Sequence, residues 1–169
     1  GWAYFTNTMS NGGIIVFDNS SKTSKMWSSI DTMRNSTFDV CVGNYCYGTD
    51  GVGSSPSDGI ALSPDGATLY WSPVQGEALY MISTKFLKNF AMMNEEFRSL
   101  TTILGYKDGI SDGLLWINGN LLYGDNTNCN LGIIKNITDY TSSYSIEGSA
   151  SATSTSSCAD YNWFDTFSI

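Results

Sequence analysis

The sequence predicts an all-β chain built from repeated four-stranded units, and three observations predict it. The stretch SDGIALSPDGATLYW (57–71) returns as SDGLLWINGNLLYG (111–124), with the two Ser-Asp-Gly openings 54 residues apart. The pattern N-T-x-x-N-x-G-I-I occurs at 7–15 and again at 126–134. Charged residues make up only 14% of the chain while aromatics reach 14%, with 17 glycines, a mixture suited to short strands and turns rather than long helices. A repeat of this length marks units that cannot bury their faces alone and must pack against their neighbours.

The elements follow in order. Trp2–Thr6 reads as the second strand of a first, partial unit (1–30), and 31–56 as a long loop. In the middle unit (57–104), Gly59–Ser63 is the first strand and Pro64-Asp65-Gly66 its turn. Ala67–Ser72 is the second strand, Ala78–Ser83 the third and Arg98–Leu104 the fourth, with STKFLKNFAMMNEEF (83–97) a helical insertion before it. Asp-Gly supplies the backbone angles of a tight hairpin, and Asn118-Gly119 repeats the device in the next unit (111–147). WFDTFSI (163–169) places Asp165 53 residues beyond Asp112, where another first strand is due. Four-stranded units set radially make a β-propeller. Residues 1–169 therefore read as one partial propeller domain of about three blades. The sheet edges this leaves call for the remainder of its own propeller or a second copy, and they favour oligomers or filaments through strand pairing.

Composition excludes several classes. A net charge of −8 with eight Lys and Arg is opposed to nucleic-acid binding, which needs clustered cations. No apolar run is long enough to span a bilayer as a helix. With no histidine and no paired C-x-x-C, the four cysteines do not form a zinc site of the usual kind. Three sequons, at Asn19, Asn35 and Asn136, together with an even cysteine count, predict a secreted glycoprotein with disulfides. Four cysteines allow three connectivities. Placement in loops of one propeller face favours Cys41 with Cys46 and Cys129 with Cys158.

In a propeller the first strand lines the central channel, so Asp58 and Asp112 open neighbouring inner strands toward one mouth, with Asp165 a third candidate. Each aspartate can cap its own turn and need no ligand. Equivalent carboxylates gathered round an axis repel one another unless a cation, a proton or a hydrogen-bonded ligand lies between them. Asp58 and Asp112 are thus candidate ligands of Ca²⁺ or another divalent cation.

GGIIVFD (12–18), DGIALSPDGATLYWSPVQGEALYMISTKFLKN (58–89), LGYKDGISDGLLWINGNLLYGDNTN (104–128) and WFDTF (163–167) resemble the major royal jelly protein/Yellow family in order and spacing over essentially the whole chain. The resemblance implies a secreted six-bladed propeller of which this chain is about half. It also implies roles from nutritive, structural and ligand-binding to dopachrome conversion. More distantly the chain is similar to gluconolactonase/senescence-marker propellers, which hold a divalent metal in the channel. Asp112 matches one of their ligands, and Asp58 stands where they carry asparagine.

Two functions follow as expectations. The first is a non-catalytic protein that binds a small aromatic or cationic ligand, or that serves a structural or assembly role. It accords with the absence of histidine and of a nucleophile constellation, and with aromatics suited to stacking and cation–π contacts. The alternative is a metal-dependent enzyme, a lactonase-like hydrolase or dopachrome-type isomerase, in which Asp58 and Asp112 hold the ion that polarises a carbonyl. No catalytic residue is assigned.

Overall fold

The computed structural model describes residues 1–9, 11–35, 40–42, 45–47, 55–107, 109–127, 130–135, 137 and 149–151, with backbone alone at 40–42, 45–47, 130 and 149–151. Three antiparallel sheets carry the core, each a meander in chain order. The first holds β1 (Trp2–Thr6), β2 (Ile14–Asp18) and β3 (Thr23–Trp27). A separate hairpin follows, β4 (Val40–Val42) and β5 (Tyr45–Tyr47), inside the stretch expected to be loop. The second sheet holds β6 (Ser57–Leu62), β7 (Thr68–Pro73), β8 (Ala78–Ser83) and β9 (Thr102–Tyr106). Two short helices, α1 (Thr84–Leu87) and α2 (Asn94–Leu100), interrupt the path from β8 to β9. The third sheet holds β10 (Leu114–Ile117), β11 (Asn120–Asp125), β12 (Asn130–Ile134) and β13 (Ser149–Ser151).

The middle sheet is covered on both faces, and the alternation of β7 shows how. Leu69 and Trp71 pack with Ile14, Val16 and Trp27 of the first sheet. Tyr70, between them, points the other way and packs with Leu114, Leu121 and Tyr123 of the third. Successive strand side chains face opposite sides, so a strand between two cores is buried along its length. Each large side chain so buried contributes about 1.5–3 kcal/mol. Tyr70 also stacks on Trp116 with ring centroids 5.2 Å apart, joining second and third sheets.

The turns follow their sequences. Asn118 and Gly119 both take positive φ, 49° and 79°, as the two-residue turn between β10 and β11 requires. Between β6 and β7, Asp65 accepts from the Ser63 hydroxyl and the Ala67 amide, and these bonds hold its carboxyl below the usual range.

The expected fourth strand at 98–104 is displaced. The chain stays helical to Leu100 and only then extends over 102–106. Two local interactions hold that helix: the Glu96 carboxylate accepts from the Met93 amide at 2.8 Å, and Phe97 is fully buried against Trp27 and Trp71. The third sheet likewise takes its last strand from 149–151, past the expected limit at 147. The expected strand at 163–169 lies outside the described residues.

Candidate functional site

Asp58 lies within β6, half-buried, beside a register irregularity between Ser57 and Ile60. Its carbonyl accepts from the Thr6 hydroxyl at 2.7 Å, tying β6 to β1. The next residue explains the repeated Asp-Gly. A Cβ on Gly59 would stand 1.8 Å from the Asp112 carbonyl oxygen, so β6 and the segment entering β10 touch backbone to backbone. The two motifs are therefore neighbours in space.

Asp112 is only 7% exposed and precedes β10. Around it are fully buried Ser111, the Asp125 carboxylate at the end of β11, and Lys107 at the end of β9, 4% exposed. The Lys107 ammonium donates to the Ser111 hydroxyl at 2.8 Å and to the Pro73 carbonyl at 3.0 Å. Burial pushes its pKa down to about 7, while the charges of Asp125 and Asp112 pull it back up. Lys107 and Ile110 are pinned further by backbone bonds, from the Lys107 amide to Glu77 and from the Asn126 amide to Ile110. A lysine poised near pH 7 has the acid–base character of a catalytic amine, but this one is enclosed, and its bonds run to the loops it joins. Its visible effect is to place a positive charge between two acidic loops.

Among the described residues no group of three or more His, Cys, Asp and Glu is arranged to hold a metal ion. Asp165, Cys129, Cys158 and Asn136 lie outside them. The backbone of β4 and β5 sets position 41 opposite position 46. Asn19 and Asn35 are exposed, the first in the turn between β2 and β3.

Lys107 and Asp125 were not expected from the sequence. The available signal was a single lysine in a Gly- and Asp-rich loop, GYKDGISDG, of a chain with only eight basic residues.

A second feature lies on the side of the middle sheet that faces the first. A cleft of about 450 Å³ opens between the turn after β3 and the β7–β8 connection. Ile30, Asp31 and Arg34 line it from one side, Glu77, Tyr80 and Tyr106 from the other. Its walls are fixed. The Trp71 indole donates to the Asp31 carbonyl at 3.1 Å, and the Asn35 amide donates to the Gln75 carbonyl at 2.7 Å. Ser29 and Thr32 cap the short 3-10 turn at 30–32 reciprocally. Tyr80 stacks on Trp71, Trp71 on Phe97 and Phe97 on Trp27, with centroids 5.6, 5.9 and 6.1 Å apart. Lys25 closes the far end of this column, 4.0 Å from the Trp27 ring centroid. Desolvation first, then the charges of Asp31 and Tyr106, raise the Tyr80 phenol to about 12, so it stays a neutral donor at physiological pH.

No family model matches the chain, and no curated protein matches it. Among solved structures it is similar to a luciferin-regenerating enzyme, with 12% identity, a TM-score of 0.48 and 83% of this chain covered. The chain spans 36% of the length of that protein.

Proposed function

We propose that the chain is part of a β-propeller that binds a small molecule on its loop-bearing face, without catalysing a reaction. The observation that carries this is the contrast between the two sites. The acidic cluster at Asp112 and Asp125 already has Lys107 as its cation, whereas the Tyr80–Tyr106 cleft is open and has a volume within the range of small-molecule sites. The propeller reading draws on the 54-residue spacing of the Asp-Gly motifs and on the meander sheets that carry them. Membership of the major royal jelly protein/Yellow family rests on the order of matching segments. Secretion, glycans at Asn19, Asn35 and Asn136, and disulfides Cys41–Cys46 and Cys129–Cys158 belong to the same proposal. Supporting them are three sequons, an even cysteine count and the opposed positions 41 and 46.

The test is a thermal-shift panel of small amines, acids, zwitterions and sugars, run on the 169-residue chain and on Tyr106→Ala. Tyr106 is 60% exposed, so its truncation is expected to leave the fold intact, with circular dichroism as the check. A ligand at 100 times its Kd adds about 2.7 kcal/mol, about 5–11 °C in a domain of this size. At least one class should give such a rise in the wild-type chain and lose it in the variant. A panel with no response, or with equal responses in both proteins, overturns the proposal.

A further inference from the structure

We infer that the cleft between the turn after β3 and the β7–β8 connection takes a small zwitterion with an apolar body, an amino-acid-like molecule. This rests on the ligand-binding reading above and deepens it. Three charged side chains of both signs, Asp31, Glu77 and Arg34, line one cavity. Among the described residues no ion pair joins Arg34 to either acid or joins any of the three to another group. Opposite charges in one cleft that do not pair with each other are suited to a ligand that carries both charges and bridges them. An ammonium fits the acidic pair, and a carboxylate fits the guanidinium fork, which matches its planar geometry.

The remaining lining sets the body. Tyr80 and Tyr106, with Ile30 and Met33, offer aromatic and aliphatic surface, and the tyrosine hydroxyls and Asn35 add only uncharged hydrogen-bonding groups. Tyr80 cannot swing away, because its ring is stacked on the buried Trp71. A fixed aromatic wall binds an apolar body at little conformational cost. A purely cationic ligand would make no use of the guanidinium fork of Arg34, and a purely anionic one would meet two carboxylates. The neutral Tyr80 phenol adds no third negative charge to the wall.

Calorimetric titration of the 169-residue chain with L-phenylalanine, phenethylamine and 3-phenylpropionate tests this, since the three share one body and differ only in charge. L-Phenylalanine should bind, and each singly charged analogue should bind at least about tenfold more weakly, a difference of about 1.4 kcal/mol. Glu77→Gln and Arg34→Met should each weaken L-phenylalanine about tenfold, with unchanged circular dichroism as the check on folding. Phenethylamine or 3-phenylpropionate binding as tightly as L-phenylalanine overturns the inference, as does full affinity in either variant. If none of the three binds while the panel yields another ligand lost in Tyr106→Ala, the zwitterion inference fails and the binding function stands. If the panel is also silent, both fail.

Discussion

Replacing Lys107 with methionine keeps most of the side-chain stem and deletes one buried charge with its two hydrogen bonds, to Ser111 and Pro73. Two opposing terms follow. The variant no longer holds an ammonium away from water, the cost that lowers the wild-type pKa to about 7. It also leaves Asp112 and Asp125, 7% and 4% exposed, without their cation. Removing one partner of a buried charged group costs about 3–5 kcal/mol, because the other charge is left uncompensated. The lowered pKa already contains the attraction of both acids, so where Lys107 is charged the burial cost outweighs that attraction. At pH 6 Lys107→Met should therefore lose less stability relative to wild type than at pH 10, read as a smaller drop in Tm. The pH dependence adds an independent signature. The folded pKa of Lys107 lies below its unfolded value of 10.5, so between about 7 and 10.5 the unfolded chain binds more protons. This lysine's contribution to stability therefore rises with pH through that window and is flat below it. Thermal unfolding followed by circular dichroism from pH 6 to 10 should show that slope in the wild type and its loss in the variant. A variant with the same slope above pH 7 as wild type would refute the placement of Lys107 as a buried, titrating amine beside the two acids.

Gly59→Ala should be severely destabilising, by more than about 3 kcal/mol, because its Cβ meets the Asp112 carbonyl oxygen at 1.8 Å and both partners are backbone. Chemical denaturation checks this, and a midpoint unchanged from wild type would show that β6 and β10 do not touch. Trp71→Phe keeps a ring but removes the indole bond to Asp31. A loss of about 1–2 kcal/mol is expected, with weaker ligand binding in the cleft, measurable by unfolding and titration. EDTA and Ca²⁺ should each leave the wild-type Tm unchanged. A rise with Ca²⁺ that EDTA reverses would support Asp58 and Asp112 as metal ligands, since a ligand of the native state must stabilise it.

Local chemistry made much of the fold readable. The Asp65-Gly66 and Asn118-Gly119 turns fix where hairpins fold, and Trp2–Thr6 and Ala78–Ser83 form strands with the expected limits. The strand after α2 was displaced because FRSL can be read either way. Phe97 buried against two tryptophans decides for helix, and no window of sequence contains those contacts. The short β4–β5 hairpin was missed for a related reason, since three-residue strands are too brief to show alternation. The cleft was the least legible feature. Its walls come from residues 30–35, 73–80 and 106, which only the packing of the first sheet against the second brings together.

The Asp-Gly repeat invited a functional explanation, and packing supplies a sufficient physical one for its glycine. Where the first strand of the second sheet meets the segment entering the third, Gly59 lets backbone rest on backbone, and any side chain there would displace the Asp112 peptide. The aspartate that follows from this crowding then sits in a site with little water, at 7% exposure. A carboxylate so placed needs a nearby cation, and this chain provides one covalently, from the loop that leads into β10. Supplying the cation as Lys107 rather than as a bound ion has a consequence for function. The amine stays tethered to the chain and bonds both Ser111 and Pro73, so the cluster fixes the loops around it, including the Pro73 carbonyl at the rim of the cleft. Rigid support at that rim favours a ligand site formed before the ligand arrives. On this argument Lys107→Met should weaken ligand binding in the cleft although Lys107 does not line it. Equal affinity in the variant, measured at a temperature where it remains folded, would separate the two sites.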